Sequence, residues 1–466
     1  MSFRQSRFWI LLFVWVSFSV PAPVTAAEKP ETKRPNILLI TADNLGYGDL
    51  GCYGNPVMKT PMLDQLASEG VRLTDFYTAS PTCTVSRATL LTGRYPQRIG
   101  LNQQLSADEN YGDGLRKSEV LIPEYLKQQG YRTACFGKWN VGFSPGSRPT
   151  ERGFDEFFGF AAGNIDYYHH YYAGRHDLWR GLKEVFVEGY STDLFADAAC
   201  QYISAESDQP FFIYLPFNAP HFPSQRNKQP GQGNEWQAPD LAFEKYGYDP
   251  QTKNPQERYR AVVTALDSAI GRVLKQLDMS GLRDQTIVIW YSDNGAFMLK
   301  ERGLEVASNK PLRDGGVTLW EGGIRVPAII RYPGHLKAGT DSQSPLISLD
   351  ILPTLITLAG GPLPAERILD GQDMLPALAA QTAPEPRTFF FQYRNFSAVR
   401  RGKYKLVRIK PNQPFMLFDL EQDLSETTDL AERNPKVLNQ LQQAYAGWER
   451  EVAENEERRR KSDNGR

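Results

Sequence analysis

Two Asp-Asn pairs in this sequence carry the hard oxygen ligands that a divalent metal ion takes. Asp43-Asn44 and Asp293-Asn294 each follow an apolar run, and each is followed by a glycine within two residues. Asx residues after strands most often only satisfy the backbone of a turn. Two such pairs in matched positions nevertheless favour a metal site.

Two further polar turns carry Lys138 and His221, each after another apolar run. A lone lysine there is usually a solvated charge, and a lone histidine is usually a surface residue. Lysine would supply fixed positive charge for an anionic substrate, and histidine exchanges protons near neutral pH. Their matched positions place both residues with the carboxylates as site candidates.

Cys83 lies at the start of a segment with helical composition, residues 86–91, which Gly93 ends. A helix N-terminus favours anions, and Arg87 lies one turn on, on the same face. Cysteine is also among the most buried residues and is often inert. These residues alone leave two interpretations open, a packed cysteine and the precursor of a nucleophile.

The elements that would position these residues follow an α/β pattern, in which short apolar runs alternate with amphipathic stretches. Ligands bind outside the carboxyl ends of the strands in open α/β sheets, so the four turns should converge on one site. The strands predicted directly before the turns are residues 36–40, 133–136, 211–215 and 286–290.

The composition of the sequence changes past residue 360, where a Pro- and Ala-rich stretch begins. We expect antiparallel strands here, with a turn at Arg401-Gly402, followed by an amphipathic helix at residues 437–448. Residues 449–466 are dense in charge and are predicted to form a solvated, frayed tail. The strands are predicted at residues 389–393, 397–400, 403–407 and 416–420.

Composition and termini limit the classes of function. The 466 residues are 41% apolar, enough for a large core, and the net charge of −1 gives no reason to expect nucleic acid as a partner. Residues 1–27 read as a secretory signal peptide that predicts export to the periplasm or the outside, and an uncleaved anchor is the weaker alternative. No later stretch is apolar enough for a membrane span. Four cysteines match neither a disulfide framework nor a zinc site.

Cys83-Thr-Val-Ser-Arg87 followed by Leu91-Thr-Gly93 resembles the signature of the formylglycine-dependent sulfatases. The resemblance covers nearly the whole mature chain. Any one of these motifs alone would be weak evidence for the family, but many of them in the same order are specific to it. The further matching motifs are Pro35-Asn-Ile, Tyr47-Gly-Asp49, Gly137-Lys-Trp139, Arg152-Gly-Phe-Asp155, Pro220-His221, Ser292-Asp-Asn-Gly295, Glu321-Gly-Gly-Ile-Arg-Val-Pro327, Asp350-Ile-Leu-Pro-Thr354 and Lys403-Tyr-Lys-Leu406.

The resemblance implies an alkaline-phosphatase-like fold. Its mostly parallel, helix-flanked α/β domain would span residues 34–375, and a small C-terminal antiparallel sheet with a helix would span residues 376–450. A charged tail, residues 451–466, would follow.

The resemblance also implies the chemistry. Cys83 would be oxidised to formylglycine by a formylglycine-generating or anaerobic sulfatase-maturating enzyme, and the aldehyde hydrate would attack sulfur. Arg87 would stabilise that residue, while Lys138 and His221 would hold the sulfate ester. One Ca²⁺, or less favourably Mg²⁺, would complete the site. Its implied ligands are Asp43, Asn44, Asp293 and Asn294.

Four positions depart from the family pattern. Asn44 replaces an aspartate, Asn140 replaces a histidine that acts as a base, and Gly316 falls where a lysine usually binds the sulfate ester. Val85 stands where the maturating enzymes usually meet proline or alanine. The residues that could replace the lost groups are Arg313, Lys310, His169 and His170.

The sequence therefore predicts an exported hydrolase of sulfate esters, acting on a sulfated carbohydrate. The aromatic loop at residues 166–172 could stack on sugar rings, although it could equally be a packed loop. Two alternatives stay open, a phosphoester or phosphonate hydrolase on the same fold and a non-catalytic sulfoglycan-binding protein. The predicted substrate-binding residues are Asn140, His169, His170 and Arg313.

Overall fold

The fold is built on one large sheet, and its central strand shows why the chain folds this way. Residues 36–42, Asn-Ile-Leu-Leu-Ile-Thr-Ala, are all buried, as expected for a strand covered on both faces. This computed structural model describes residues 1, 9, 34–105, 114–222, 235–298, 300, 305–380 and 386–463, with side chains to residue 455. Apart from Met1 and Trp9, the predicted signal peptide lies outside the described residues.

The strands of the described residues are numbered in chain order. They are β1 (Asn36–Ala42), β2 (Val71–Tyr77), β3 (Arg132–Lys138), β4 (Glu156–Phe160), β5 (Tyr171–Tyr172), β6 (Arg175–His176), β7 (Trp179–Arg180), β8 (Lys183–Glu184), β9 (Phe211–Pro216), β10 (Thr286–Ser292), β11 (Arg325–Arg331), β12 (Thr340–Ser342), β13 (Leu346–Ile347), β14 (Thr388–Tyr393), β15 (Phe396–Arg401), β16 (Tyr404–Arg408) and β17 (Met416–Asp419).

The helices are numbered in the same way. They are α1 (Pro61–Ser68), α2 (Cys83–Thr92), α3 (Pro96–Ile99), α4 (Ile122–Gln128), α5 (Ser191–Ser204), α6 (Asp240–Glu244), α7 (Pro255–Met279), α8 (Glu321–Ile324), α9 (Ile351–Leu358), α10 (Leu375–Ala380) and α11 (Pro435–Asp463).

The large sheet has the order β12-β2-β11-β10-β1-β9-β3-β4-β7-β8, with β13 also paired to β2. Strand β1 lies parallel to both β9 and β10, and β3 lies parallel to β9 and β4. Strand β11 is antiparallel to both of its neighbours. The predicted mostly parallel sheet is confirmed, and the four strands expected before the polar turns are β1, β3, β9 and β10.

Helices cover both faces of this sheet, and β1 shows the division. Leu38 and Ile40 belong to a core cluster that includes residues of α1, α5 and α7. Ile37 and Leu39 point the other way, into a cluster shared with α2, α4 and α9. The period of two along a strand therefore feeds two separate cores.

The C-terminal strands β14 to β17 form the predicted four-stranded antiparallel sheet, and α11 packs against it. This sheet shares a core with Tyr77, Trp320 and Ile324 of the large domain. Residues Arg34–Arg466 group as one compact unit. The boundary between residues 375 and 376 stays a prediction.

The expectation of a frayed tail from residue 449 is wrong as far as Asp463, because α11 continues to that residue. Val452 is only 3% exposed, and Glu451 forms an ion pair with Arg98 at 2.8 Å. Contacts with the rest of the fold thus extend the helix beyond Trp448, where the apolar pattern in the sequence becomes sparse.

Candidate active site

The carboxyl ends of the central strands meet at one buried site, as predicted from the sequence. Asp43 follows β1 and Lys138 ends β3, and the Lys138 ammonium lies 2.6 Å from the Asp43 carboxylate. Asp293 follows β10, and its carboxylate oxygen Oδ1 accepts a hydrogen bond from the backbone of Asn44 at 3.2 Å. His221, beyond β9, also contributes a ring nitrogen here.

Cys83 is the first residue of α2 and lies against this group. Its Sγ is 3.3 Å from Asp43 Oδ1 and 3.7 Å from Asn44 Oδ1. Potential ligand atoms of Asp43, Cys83 and His221 all lie within 4.8 Å of one another. Burial and the charge of Asp43 raise the pKa of the thiol well above its usual value, so the thiol keeps its proton.

Helix α2 begins at Cys83 and ends at Gly93, as predicted, and all ten of its residues are buried. Gly93 has φ of +65°, the left-handed conformation that glycine adopts at helix ends without strain. The whole helix is therefore fixed within the core, which holds the Cys83 side chain rigidly at the strand ends.

Arg87 is fully buried one turn further along α2. Its Nη2 lies 2.8 Å from Asp293 Oδ2, and its Nη1 donates to the Tyr214 hydroxyl at 3.3 Å and to the Lys138 carbonyl at 3.2 Å. A buried charge needs this kind of pairing. The sequence prediction missed Tyr214, although a tyrosine within the apolar strand β9 signals a buried hydroxyl that needs a partner.

The orientation of His221 is set by its neighbours. Its Nδ1 lies 2.9 Å from the Phe222 carbonyl, which only accepts, so Nδ1 carries the proton and Nε2 has a free lone pair. Burial and the charge of Lys138 lower the pKa of His221 to about 3, so the ring is neutral at pH 7. Tyr167, from the aromatic loop at residues 166–172, donates from its hydroxyl to the His221 carbonyl at 3.2 Å, a contact that the sequence did not predict.

The four predicted metal ligands come together in this structure. The Asn294 amide nitrogen donates to Asn44 Oδ1 at 2.5 Å, which leaves Asn294 Oδ1 buried with no hydrogen-bond partner among the described residues. Two carboxylates and two amide oxygens make a donor set that suits Ca²⁺. The donor set fits the ion, and Arg87 and Lys138 balance the charges of the two carboxylates when the ion is absent.

Asn140 lies near the start of α2 in a strained backbone conformation with φ of +56°. Its amide nitrogen is buried and has no hydrogen-bond partner among the described residues. A Cβ atom on Gly163 would lie 3.6 Å from Asn140 Oδ1 and 3.5 Å from Gln104 Nε2. Gln104 accepts a hydrogen bond from the backbone of Thr84, beside Cys83. Gln104 lies in a loop, and no sequence pattern marked it.

The other predicted substrate contacts have different partners. His170 is 1% exposed, and its Nε2 lies 3.2 Å from the Gly189 carbonyl. The Nδ1 of His169 lies 2.9 Å from Asp166. Arg313 stacks on Trp320 and donates to the Glu426 carbonyl. The contacts of His169 and His170 favour the packed-loop interpretation, and roles for all three residues in substrate binding stay predictions.

Phe297 fills the space beside Gly316, the position that lacks the usual lysine. A Cβ atom on Gly316 would lie 2.7 Å from the Phe297 ring and 2.9 Å from the Gly295 carbonyl. Gly316→Lys alone is therefore expected to lower the free energy of unfolding by about 1–3 kcal/mol through overpacking, and to give no gain in activity. Urea denaturation and sulfate release would measure both effects.

The matched variant for this prediction combines Gly316→Lys with Phe297→Ala, and Phe297→Ala alone is its control. We expect the double variant to be more stable than the sum of the two single changes predicts, because the ring and the lysine compete for one space. Additive losses would show that the ring does not fill the lysine position.

Asn44→Asp is expected to tighten Ca²⁺ binding by roughly tenfold or more, since it adds a third carboxylate to the ligand set. Without the ion, three carboxylates would face only Arg87 and Lys138, so the variant should melt at a lower temperature than the wild type in EDTA. With saturating Ca²⁺ the order should reverse. Thermal denaturation under both conditions would test this.

Asn412→Asp, at an exposed position, is the control for Asn44→Asp and should respond equally little to both conditions. An Asn44→Asp protein whose melting temperature ignored calcium would count against a metal at these residues.

The architecture is typical of one class of hydrolases. A large, mostly parallel sheet with paired charged side chains at the carboxyl ends of its strands is the arrangement found in the alkaline-phosphatase-like class. Among the described residues, no helix combines the length and the apolar character needed to cross a membrane.

Comparison with known proteins gives the family. Residues 35–361 match the family model described as Sulfatase, and residues 317–450 match the model described as N-sulphoglucosamine sulphohydrolase, C-terminal. The chain is 34% identical to N-acetylgalactosamine-6-sulfatase of Rattus norvegicus over 404 residues, which cover 82% of this chain and 72% of that protein. It is 33% identical to arylsulfatase A of Homo sapiens, over 90% of this chain and 88% of that protein.

Solved structures agree with this assignment. The crystal structure of Ps i-CgsB in complex with k-i-k-neocarrahexaose superposes with a TM-score of 0.80 and 31% identity, covering 89% of this chain and 93% of that chain. The chain belongs to the sulfatase family, and it is a sulfuric ester hydrolase. The resemblance seen in the sequence is confirmed.

Proposed function

We propose that this protein is an exported sulfatase that removes a sulfate ester from a carbohydrate, using formylglycine made from Cys83 and a bound Ca²⁺. The observation that carries the proposal is the convergence on one buried point of Cys83, Asp43 and His221, whose potential ligand atoms lie within 4.8 Å of one another. Export rests on the signal-like sequence of residues 1–27.

The buried cations of the site suit an anionic ester. Lys138 and Arg87 lie on either side of the Asp43 and Asp293 carboxylates, and both charged groups are fully buried. Preorganised charge of this kind stabilises negative charge that develops on sulfuryl oxygens, since no solvent has to reorganise. Ca²⁺ held by Asp43, Asn44, Asp293 and Asn294 would add Lewis acidity at the same oxygens.

His221 is placed to transfer a proton to the oxygen of the leaving alcohol. With Nδ1 committed to the Phe222 carbonyl, the neutral ring can accept a proton only at Nε2, such as the one that the attacking hydrate oxygen releases, and can then deliver that proton to the leaving oxygen. Tyr167 and Trp236 hold this segment through the His221 and Pro220 carbonyls, at 3.2 and 3.0 Å. The histidine therefore keeps one orientation during the reaction.

Formylglycine at residue 83 would supply the nucleophilic oxygen of its hydrate. Val85 and the rest of α2 are buried in the folded protein, so the maturating enzyme must reach Cys83 before this helix packs. Valine at residue 85 makes recognition by that enzyme the critical step for activity.

A carbohydrate substrate is supported by the relatives and by aromatic side chains near the site. Phe222 follows His221, and its ring lies 5.4 Å from the ring of Phe297, which fills the position beside Gly316. The apolar faces of these two rings can stack on a sugar ring, which the lysine usual at the position of Gly316 could not do. The N-acetylgalactosamine-6-sulfatases and the structure in complex with k-i-k-neocarrahexaose favour a sulfated saccharide, with N-acetylgalactosamine 6-sulfate as the first candidate.

The test is sulfate release by the full chain expressed with a maturating enzyme and purified with Ca²⁺. Sulfated galactose, N-acetylgalactosamine and glucosamine derivatives form the panel, and peptide mass spectrometry at Cys83 shows whether the aldehyde is present. Formylglycine together with sulfate release would support the proposal, and formylglycine without any release from the panel would overturn it.

The same assay separates the two alternatives. Phosphate release in excess of sulfate release from matched esters would indicate a phosphoester hydrolase. Binding without release, unchanged in Cys83→Ala, would indicate a sulfoglycan-binding protein, for which Asn44, Asn140 and Gly316 are the supporting substitutions.

A further inference from the structure

The C-terminal sheet reaches the active site through the turn between β14 and β15. Tyr393 pairs with Phe396 across this hairpin, so its loop has only two residues, Arg394 and Asn395. Arg394 has φ of +52°. The first loop residue of such a hairpin favours glycine, because a side chain is strained in the left-handed region. A strained arginine at a glycine position calls for an explanation in function.

Tyr393 connects this turn to the nucleophile position. It is 2% exposed and belongs to the same core cluster as Tyr77 and Ala79, on the segment that leads to Cys83. Burial raises the pKa of the Tyr393 phenol, while the nearby Arg394 and a hydrogen bond to Thr82 lower it. Because Thr82 directly precedes Cys83, the tip of the hairpin lies beside the start of α2.

The Arg394 guanidinium packs over the Tyr393 ring. Its central carbon lies 5.3 Å from the centroid of the Tyr393 ring, within the range of a cation–π contact. The residue is exposed, and no carboxylate forms an ion pair with it in the described part of the chain. The ring therefore holds a cation that has no carboxylate partner among the described residues, at the outer edge of the site.

The other cations of the site are already committed. Arg87 is paired with Asp293, and Lys138 is paired with Asp43. Both are buried with Cys83, where the scissile sulfate would bind. Arg394 is separated from Cys83 by Tyr393 and Thr82, so it is placed for a different anionic group on the same ligand.

We propose that Arg394 binds a second anionic group of the substrate, a sulfate or a carboxylate on the same saccharide, and so selects polyanionic carbohydrates. The planar guanidinium matches either group with two parallel hydrogen bonds. This inference rests on the proposed function, since it assumes that the scissile sulfate binds beside Cys83.

The test measures binding to the unmatured full chain with Ca²⁺ by isothermal titration calorimetry at low salt. Three probes are compared: N-acetylgalactosamine 6-sulfate, N-acetylgalactosamine 4,6-disulfate, and a disaccharide of uronate and N-acetylgalactosamine 6-sulfate. The variants are Arg394→Gly, which suits the turn, and Arg394→Lys, which keeps the charge. Arg401→Ala, an exposed arginine at the other end of β15, is the matched control.

We expect the wild type to bind one or both dianionic probes about fivefold to tenfold more tightly than the monosulfate. Arg394→Gly should remove this preference, leave the monosulfate affinity unchanged, and melt at the same or a higher temperature. Arg394→Lys should keep part of the preference, and Arg401→Ala all of it. Whichever dianionic probe loses affinity identifies the second group as sulfate or carboxylate.

The inference is overturned if the wild type shows no preference, if Arg394→Gly keeps it, or if Arg401→Ala loses as much. Sulfate release by the matured protein is measured separately. If binding prefers the dianionic probes through Arg394 but the matured protein releases no sulfate, only the catalytic proposal is overturned. If sulfate is released but the preference is the same in Arg394→Gly, only the inference about Arg394 is overturned.

Discussion

Cys83→Ala is expected to lower the rate of sulfate release by at least about 10³-fold, because alanine lacks the thiol from which the proposed formylglycine nucleophile would be made. The neighbouring contacts should survive. The Cys83 Sγ donates only weak, long contacts to Asp43 and Asn44, while Lys138 and Arg87 keep their own partners. Substrate binding should therefore change far less than turnover. Ion chromatography of released sulfate and calorimetry with a monosulfated sugar would measure the two effects.

Cys200→Ala is the control for this experiment, because Cys200 is a free, half-buried cysteine on α5, a helix that carries none of the site residues. It should retain the wild-type rate. Equal rates for Cys83→Ala and the wild type would contradict a covalent role for residue 83. Equal losses in both variants would point to general damage by removal of a thiol.

The placement of the site could be predicted from the sequence because it depends on chain direction. The strands that lead to Asp43, Lys138 and Asp293 all run in the same direction, because β1 is parallel to β10 and β9, and β3 is parallel to β9. Their carboxyl ends therefore share one edge of the sheet. Composition and periodicity identify those strands. The start of α2 at Cys83 and its end at Gly93 follow from local residue preferences in the same way.

The partners inside the site could not be predicted, because they depend on contacts between distant segments. Tyr214 and Gln104 reach Arg87 and the start of α2 from a different strand and from a loop. Arg313 seemed available for an anion, yet the C-terminal segment supplies the Glu426 carbonyl to it. The full length of α11 could not be predicted for the same reason, because contacts of Val452 with distant segments extend the helix.

The largest effect on stability is expected from Lys405→Met. Lys405 is fully buried in β16, and its ammonium lies 2.8 Å from Glu321 and 2.9 Å from Glu426. Methionine fills a similar volume but leaves two buried carboxylates without this partner. Removal of one member of a buried ion cluster costs about 3–5 kcal/mol. Urea denaturation at fixed pH would measure the loss of unfolding free energy.

This cluster also supports the turn that carries two of the proposed metal ligands. Glu321 begins the short helix α8, and the Gly323 carbonyl accepts a hydrogen bond from Gly295 at 3.1 Å. Gly295 directly follows Asp293 and Asn294. Lys405→Met should therefore weaken the response of the melting temperature to Ca²⁺ as well as the stability itself.

The pH dependence of this variant follows from the charges that remain. Although burial raises it, the pKa of Glu321 is held below its usual value by Lys405 and Arg325 in the wild type. Burial already raises the pKa of Glu426 to about 7 in the wild type, and loss of Lys405 would raise the pKa of both buried carboxyls further, because less positive charge would then oppose the effect of burial. Stability is then lost as pH rises through the folded pKa. The deficit of Lys405→Met should be largest above neutral pH and should shrink on acidification.

Lys403→Met is the matched control for this prediction, because Lys403 lies two residues away and pairs with Asp419 at a half-exposed position. Its loss should be small, since solvent screens exposed pairs. Similar losses at residues 403 and 405, or a deficit at residue 405 that does not change with pH, would contradict the central role of this lysine. A selective, pH-dependent loss would show that Lys405 of the C-terminal sheet stabilises the fold through its ion pairs with Glu321 and Glu426.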